Sequence, residues 1–296
     1  MDAVILLDKP AGITSAEAVR RIKRFVKPAR VGHLGTLDPF ATGLLPIMIG
    51  EATKLAPFLE GGDKEYIGTI KLGAETDTLD RDGAIIRTAE VPALTPGQLG
   101  DVASRFIGKI TQTPPIFSAI KREGVPMYKL ARKNIDIEAP PPREVEIKSL
   151  HLEAAGCDQI KFAVVCSPGT YVRSLARDIG AALGTAAYLD ELRRTRTSGF
   201  HVADALALDA VVAALEAGDT AALKTLAPRQ AVAAMPEIAV DSAAERRLRN
   251  GDSSALDMMA PVAAGYFKVI SDSGALVAVA RATSRVTAII ERIFNP

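Results

Sequence analysis

The sequence predicts an α+β fold, and three of its features support that prediction. Alternating apolar segments typical of strands occur at 66–72 and 160–166. Longer segments at 99–107 and 172–183 have the apolar spacing of helices. Strands and helices do not follow the regular alternation that builds a doubly wound parallel sheet, so a mixed α+β arrangement is favoured.

The first 50 residues contain several predicted elements. Val4–Leu7 is a short apolar run followed by a turn at Asp8–Gly12, which indicates a buried strand. Thr14–Glu17 has a capping-box pattern, so we expect a helix there that Pro28 ends. Its apolar face would carry Val19, Ile22 and Val26. The apolar run Leu44–Ile49 fits a buried strand or a short helix equally well.

Later segments extend the prediction to the end of the chain. A polar turn at Asp77–Gly83 should lead Ile85-Ile86 back into the sheet, and Tyr128–Lys133 should form a short basic helix. The Ala-rich stretch 204–226 is predicted helical, whereas from Ile238 onward we expect short strands. Turns are expected there at Asn250-Gly251 and Ser273-Gly274. This change of character predicts two domains, 1–235 and 236–296.

Charge is balanced over the whole chain but concentrated locally. The 296 residues carry a formal net charge of +1, which does not by itself indicate a polyanionic partner. The segment Arg20–Arg30 nevertheless holds six basic residues and no acidic one. Smaller basic groups lie at 121–133 and 193–196. One such group is usually a solvated face, but three indicate an electropositive surface of the kind that binds nucleic acid.

Several classes of protein lack support in the sequence. The apolar run near the N-terminus is too short for a signal peptide, and no apolar segment approaches the roughly 20 residues that cross a membrane, so we expect a cytoplasmic protein. His33, His151 and His201 are far apart, and Asp80 and Asp82 lack the other ligands of a calcium loop, so no metal site is expected. Cys166, on an alternating segment, is expected to be a buried free thiol.

The glycine-rich segment Gly32–Pro46 is the most informative part of the sequence. Gly32 and Gly35 allow unusual backbone dihedrals or close approach to a ligand. Asp38 precedes a proline, which favours an extended conformation and could present its carboxylate to a cleft. The local pattern alone favours the simpler interpretation, in which Asp38 begins an Asx turn.

Six ordered blocks, however, resemble those of TruB-type pseudouridine synthases, over residues 4 to 200. The segment Gly32–Pro46 is similar to the signature loop of that family, with Leu34 where threonine is common. The other blocks are Asp8–Gly12, Lys64–Tyr66 followed by Leu72–Asp80, Gln112–Lys121, Gly169–Leu175 and Leu192–Arg194. Residues 238–296 resemble only loosely the small PUA-like domain of bacterial members.

This resemblance implies a fold and an activity. The fold would be a mixed, mainly antiparallel central sheet flanked by helices, followed by a small, mostly β PUA-like RNA-binding domain. The activity would be isomerisation of one uridine (position 55) in the T-arm of tRNA to pseudouridine. Because nothing is oxidised and nothing leaves in that reaction, we expect no cofactor or metal, and our default expectation is a monomer.

The resemblance also assigns the site residues. Asp38 would be the catalytic carboxylate and Arg173 the cation held against it, while Tyr66 would stack on the everted target base. His33 would help hold the RNA loop around the vacated position, and Tyr171 and Leu192 would line the uracil pocket. Lys9 matches a position near the site, with a structural role.

Several alternatives stay open at this point. Asp38 could attack the ribose C1′, attack the base or remove a proton, and the sequence does not choose among these routes. The chain could instead be a non-catalytic tRNA-binding chaperone on the same fold, or the guide-RNA-dependent subunit of a box H/ACA particle. A metal-dependent nuclease would need clustered carboxylates at ligand spacing, which the sequence lacks.

Overall fold

The computed structural model describes residues 1–117, 121–122, 125–127, 140–256, 265–283 and 287–295. Its α-helices, α1 to α7, are Ser15–Lys23, Ala56–Leu59, Pro96–Phe106, Val172–Ala182, Leu208–Glu216, Pro228–Ala231 and Ser242–Arg249. Short 3-10 helices span Gly50–Leu55, Val202–Asp204 and Ser253–Leu256.

The strands are numbered in chain order. Strands β1 to β9 are Ala3–Lys9, Val31–His33, Thr42–Ile49, Lys64–Leu72, Ala74–Thr76, Ile85–Thr88, Gly108–Gln112, Lys121–Arg122 and Val125–Pro126. Strands β10 to β18 are Arg143–Ala154, Gln159–Cys166, Ala187–Thr197, Phe200–His201, Leu206–Ala207, Glu237–Val240, Gly265–Ser271, Leu276–Ala282 and Ala288–Ile293.

Within the described residues, ten strands form one large mixed sheet. Its main order is β14-β1-β3-β12-β4-β11-β10-β7, with β2 paired to β3 and β13 paired to β12. The β1–β14 and β3–β12 pairs are parallel, and the other pairs are antiparallel. The α+β fold class with a mainly antiparallel sheet is therefore confirmed.

The apolar runs of the sequence form the core of this sheet. The run 44–49, which fitted a strand or a helix, is part of β3, and it is buried because β1, β2 and β12 all pair with β3. Strand β11 alternates as predicted, with Ile160, Phe162, Val164 and Cys166 buried on one face. These residues pack with the buried faces of the helices that flank the sheet.

Helix α1 begins as the sequence predicts but ends early. The Thr14 hydroxyl accepts a hydrogen bond from Glu17 N–H at 3.0 Å, which caps the first turn. The helix ends at Lys23, so Val26 lies beyond it, although Val26 still packs against the core. Pro28 therefore does not end the helix as predicted. Helix α3 instead begins three residues before the predicted Leu99, because Thr95 and Gln98 form a capping box.

Three other predictions need correction. Ile85 and Ile86 do not rejoin the main sheet; they belong to β6, which pairs only with β5, and both side chains are exposed. The predicted helix at 204–226 is reduced to α5, because a left-handed Gly218 follows its end. The region after 238 also contains α7, whose N-terminus is capped by the Asp241 carboxylate. The predicted helix at Tyr128–Lys133 lies outside the described residues.

The C-terminal strands form a second, four-stranded sheet in the order β15-β16-β17-β18. A turn at Ser273-Gly274 joins β16 to β17, and Gly251 forms the predicted turn after α7. This sheet shares an apolar cluster with the main sheet, formed by Val4, Leu44, Met48, Ile270, Leu276, Val279 and Phe294. The two sheets are thus packed together, and the division into domains at 235/236 stays a prediction.

Candidate active site

The glycine-rich loop between β2 and β3 is fixed from three sides. Buried Ser15 of α1 accepts a hydrogen bond from Leu37 N–H at 2.9 Å and donates one to Leu37 O at 3.0 Å. Leu34 N–H donates to Pro46 O of β3, and Arg194 of β12 donates to the carbonyl of Gly35. These anchors hold the residues just before Asp38, so the loop places that residue at a defined position beside the sheet.

Asp38 faces a buried arginine. The carboxylate oxygen Oδ1 accepts a hydrogen bond from Arg173 Nη2 at 3.2 Å, and Oδ2 lies 3.0 Å from Nε, which is not oriented for a hydrogen bond. The Arg173 side chain is only 6% exposed, whereas that of Asp38 is 32% exposed. The pair therefore presents a charged carboxylate toward solvent with a buried cation behind it.

Arg173 has three further partners besides Asp38. Nη1 donates to Thr78 O at 2.9 Å and lies 3.3 Å from the carboxylate of Asp80, and Nη2 also donates to Phe117 O at 2.8 Å. Burial raises the pKa of Asp80, while the Thr78 hydroxyl and Arg173 oppose that rise. The guanidinium is thus shared by two carboxylates and two carbonyls, which fixes its orientation.

Helix α4 holds Arg173 in place at its N-terminus. The Gln112 side-chain oxygen accepts a hydrogen bond from Tyr171 N–H at 2.7 Å, just before the helix. The Ser174 hydroxyl donates to Thr113 O at 2.8 Å. Both bonds tie the first turn of α4 to the end of β7 and the residues after it, so the position of Arg173 does not depend on Asp38 alone.

Tyr66 and Leu192 lie near the loop on adjacent strands. Both are buried, at 7% and 8% exposure, in one apolar cluster with Leu37 and Phe40 of the loop. Burial raises the pKa of Tyr66; the charge of Asp38 adds to this rise, and Arg194 opposes it. The Asp38 carboxylate is therefore close enough to the Tyr66 hydroxyl to oppose its ionisation.

Lys9 connects β1 to the same loop. Its ammonium is fully buried and donates to the carbonyls of Pro10, Ile13 and Pro39, at 2.8, 2.9 and 3.3 Å. Burial lowers the pKa of Lys9 to about 8, and the charge of Asp38 opposes the fall. Because the bond to Pro39 O reaches the residue after Asp38, Lys9 helps to position the loop.

His33 and Tyr171 occupy the margins of this region. His33 is half-buried, and its Nδ1 has no hydrogen-bond partner among the described residues. Burial lowers its pKa, and Arg194 adds to that effect. The ring of Tyr171 lies against the guanidinium of Arg143, whose carbon is 4.6 Å from the ring centre.

Comparison with known proteins identifies the family of this chain. Residues 23–172 match the family model for the N-terminal domain of the TruB family pseudouridylate synthases, and residues 173–235 match the model for the tRNA pseudouridylate synthase B C-terminal domain. The chain belongs to the TruB family of pseudouridylate synthases. It is therefore an isomerase of the tRNA pseudouridine synthase B type.

Similar proteins cover most of this TruB-family chain. A tRNA pseudouridine synthase B from Geobacter sulfurreducens is 41% identical over 85% of this chain and 82% of its own length. One from Geotalea uraniireducens is 46% identical over 71% of this chain and 67% of its own length. A chain in the crystal structure of a Cbf5-Nop10-Gar1 complex has a TM-score of 0.75 and 26% identity, covering 99% of this chain and 85% of that one.

The sequence did not single out two charged residues that the TruB-family structure brings to the site. Asp80 was considered only as part of a calcium-loop pattern, yet it is buried against Arg173. Arg194 was counted among surface basic residues, yet it is fully buried behind the loop. Both residues lie in blocks that resemble the family's motifs, and their place in those blocks could have identified them as site residues.

The described residues also bear on metals and membranes. No group of three or more histidine, cysteine, aspartate or glutamate side chains in this part of the chain could hold a metal ion. No described helix is long and apolar enough to cross a bilayer. Cys166 is a buried free thiol, and burial raises its pKa to about 11.

Proposed function

We propose that this chain converts the T-loop uridine of tRNA (position 55) to pseudouridine, acting as a monomer without cofactor or guide RNA, with Asp38 as its catalytic carboxylate. The observation that carries the proposal is the Asp38–Arg173 pair: a partly exposed carboxylate on a fixed loop, backed by a buried guanidinium. The tRNA substrate is supported by the relatives named tRNA pseudouridine synthase B, at 41% and 46% identity.

The reaction rearranges bonds without net gain or loss of atoms. The bond between uracil N1 and ribose C1′ breaks, the base turns, and a bond forms between C5 and C1′. The proton on C5 is lost and N1 gains one, so product and substrate are isomers. No oxidant, reductant or leaving group is needed, and one well-placed carboxylate can serve the chemistry.

Arg173 suits the requirements of that carboxylate. A carboxylate enclosed with a nucleotide must stay charged and keep its aim, whichever of the three routes it follows. The guanidinium stabilises the charge, and its contacts with Thr78 O, Phe117 O and Asp80 prevent it from following Asp38 if the loop moves. Orientation of this kind can contribute several kcal/mol to lowering a barrier.

A uridine in a folded T-loop is stacked and must be everted to reach Asp38. Extrusion costs a few kcal/mol, and stacking on an aromatic ring can return roughly 1–3 kcal/mol. Tyr66 is the ring near Asp38, and Leu192 in the same apolar cluster offers a second contact to the base. We assign Tyr171 to the wall of the uracil pocket. We assign His33 to the position in the RNA loop that the everted uridine leaves vacant.

The RNA would extend over basic surfaces beyond the pocket. Five cationic residues of Arg20–Lys27 lie in α1 or just after it, and Arg20, Lys23, Arg24 and Lys27 are exposed. Phosphate contacts of this type supply affinity that falls steeply with salt. We also assign the C-terminal sheet, residues 237–293, to tRNA contact as a PUA-like module, because it packs beside the same main sheet.

The competing functions differ in their requirements. A guide-dependent subunit would need guide RNA and partner proteins, whereas the chain in the Cbf5 complex is less similar to this one, at 26% identity, than the tRNA pseudouridine synthase B relatives are. A folding chaperone would bind tRNA without changing it, and a nuclease would cut it in a metal-dependent way.

One experiment separates these possibilities. The purified chain is incubated with an unmodified tRNA transcript in the presence of a chelator and without other RNA or protein, and pseudouridine is mapped by position. We expect product only at the T-loop uridine, and none in a transcript carrying cytidine there. Binding without product would support the chaperone, product only with a guide RNA would support the particle subunit, and either result would overturn the proposal.

A further inference from the structure

We propose that Lys64, backed by the buried charge of Arg194, is an anion subsite that binds a phosphodiester group next to the everted nucleotide. This inference rests on the proposed function, because it assumes that the ligand is RNA. The subsite lies around Gly35, three residues before Asp38 in the glycine-rich loop.

Lys64 differs from the other shielded lysines. Lys9, Lys54, Lys71 and Lys268 are all buried or half-buried, and each donates to a carbonyl or carboxylate oxygen. Lys64 is also half-buried, but its ammonium has no hydrogen-bond or ion-pair partner among the described residues. The ammonium itself is not enclosed, unlike the unpartnered atoms of His33 and Arg194, so Lys64 is available for a ligand.

The nearby acids do not neutralise Lys64. Glu60 and Asp63 are close enough to raise its pKa slightly, yet neither reaches ion-pair distance, and Asp63 instead pairs with Lys148 at 2.7 Å. Burial and the positive charge of Arg194 act in the opposite direction and lower the pKa of Lys64. The local balance around this ammonium is therefore positive.

Arg194 adds a fully buried cation at the same place. It donates to the carbonyls of Leu44 and Gly35 at 2.8 and 2.9 Å, but no carboxylate of the described residues pairs with it, and its Nη1 has no partner there. A Cβ atom added at Gly35 would meet Arg194 Nη1 at 3.1 Å and Lys64 Cε at 3.5 Å. The two side chains thus converge on the same face of Gly35.

His33 lies just before Gly35 and close enough to Arg194 for that charge to lower its pKa. It is two residues from Gly35, and its Nδ1 is buried without a partner in the described part of the chain. Its pKa, like that of Lys64, is lowered first by burial and then by Arg194. Lys64 and Arg194 therefore approach each other beside Gly35, with no carboxylate paired to either among the described residues, and a bound anion would stabilise this arrangement.

The position of Lys64 indicates that the bound anion is a phosphodiester. Lys64 and Tyr66 are two residues apart in β4, so they share one face of the strand and lie roughly 6–7 Å apart along it. A nucleotide stacked on Tyr66 would bring a flanking phosphate within a side-chain length of Lys64. A lysine ammonium is a compact point charge that suits a phosphate oxygen.

The first test measures the salt dependence of RNA binding. Lys64→Gln is compared with wild type on an unmodified T-arm stem-loop, by anisotropy at several salt concentrations. We expect affinity at low salt to fall about three- to tenfold, and the log–log salt slope to decrease in magnitude by about 0.7–0.9, as for loss of one phosphate contact. The control Lys161→Gln removes an exposed lysine from neighbouring β11 and should change neither quantity.

The second test identifies the phosphate. Stem-loops carry a single neutral methylphosphonate either 5′ or 3′ of the target nucleotide. Wild type and Lys64→Arg should lose affinity for one of the two RNAs, whereas Lys64→Gln should show no further loss with that RNA. The subsite is refuted if both neutral RNAs weaken Lys64→Gln as much as wild type, or if its salt slope equals that of wild type.

Two outcomes separate this inference from the proposed function. If wild type binds the stem-loop but makes no pseudouridine, the proposed function fails and the subsite is still decided by the binding data. If wild type does not bind the stem-loop, both fail. Should Lys64→Gln not fold, wild type alone decides the matter, because insensitivity to both methylphosphonates would exclude a phosphate contact at this site.

Discussion

Arg173 and Arg194 are both buried behind the same glycine-rich loop, but their charges are balanced in different ways. Arg173 contacts two carboxylates, Asp38 and Asp80, together with two backbone carbonyls. Arg194 donates to backbone carbonyls, lies beside the Tyr66 hydroxyl, and has no carboxylate partner among the described residues. One half of the site therefore has balanced charge within the protein, and the other half has an excess of positive charge.

This difference indicates separate tasks. A carboxylate that takes part in chemistry needs a cation that is permanently in place, and Arg173 provides one. A region that receives a negatively charged polymer benefits from positive charge that the protein itself does not neutralise. Substitutions that change the charges around this loop should differ in effect, and Arg173 is expected to have the largest.

The largest effect should follow the loss of Arg173. In Arg173→Met, Asp38 and Asp80 lose their shared cation, and Thr78 O and Phe117 O lose a donor. We expect the single-turnover rate to fall at least about a thousandfold and the free energy of unfolding to fall by about 3 kcal/mol. Kinetics on unmodified tRNA and urea unfolding measure the two.

The matched control for that variant is Arg177→Met, one turn later in α4. Arg177 pairs with its neighbour Asp178 near the surface, so its loss should change stability by less than about 1 kcal/mol and leave turnover intact. Equal effects of the two substitutions would show that the Asp38–Arg173 pair has no special role.

A smaller effect is expected for Asp80→Asn. The amide keeps the shape of the side chain and its contacts with Thr78 and Asp82 N–H, but it removes one of the two charges on Arg173. Because the guanidinium would then be oriented less firmly, we expect turnover to fall about ten- to a hundredfold. Wild-type turnover in this variant would mean that Asp38 alone suffices to position Arg173.

Arg194→Met tests the half of the site with excess charge. The carbonyls of Leu44 and Gly35 would be left without their side-chain donor in a buried location, and we expect the free energy of unfolding to fall by about 2–4 kcal/mol. Turnover should fall only about tenfold, through displacement of the loop, since Arg194 does not contact Asp38. A stability equal to wild type, measured by urea unfolding, would contradict a structural role for these bonds.

The smallest effect concerns the pH dependence of stability through Lys9. Burial lowers its pKa to about 8 in the folded state, below the ordinary 10.5, so the folded protein binds fewer protons between these values than the unfolded chain does. Stability should therefore rise with pH above about 8, relative to Lys9→Met. Because three carbonyls stabilise the ammonium, we expect a relative gain of only about 1 kcal/mol, seen by urea unfolding at about pH 7 and about pH 9.5. A constant difference between the two proteins across this range would show that Lys9 does not titrate there.

The sequence predicted the parts of the fold that depend on local pattern. Alternation predicted β4 and β11, and the glycine-rich loop was found from its composition. The helix at 204–226 was overextended because alanine favours helix, while Gly218 and the pairing of Leu206-Ala207 with β1 end or prevent it. Helix α7 was missed, although Asp241 followed by Glu245 near its start was a usable signal.

The site was predicted only in part, for a physical reason. The resemblance to the family paired Asp38 with Arg173, and the structure brings these two together. The burial of Arg194 depends on the position of β12 between β3 and β4, which pairs Arg194 with Tyr66 of β4 and Gly43 of β3. Chain order does not reveal that strand order, so Arg194 looked like any basic residue. Asp80 was missed likewise, because its contact with Arg173 joins segments 93 residues apart, between positions 80 and 173.

The most direct test of the account replaces the Asp38 carboxylate by an amide. Asp38→Asn and the control Asp82→Asn, which alters an exposed aspartate in a nearby turn, are assayed under single-turnover conditions on unmodified tRNA, and binding is measured separately. We expect Asp38→Asn to bind within about threefold of wild type and to form no measurable pseudouridine, while the control behaves as wild type. Wild-type turnover by Asp38→Asn would contradict the assignment of the catalytic carboxylate.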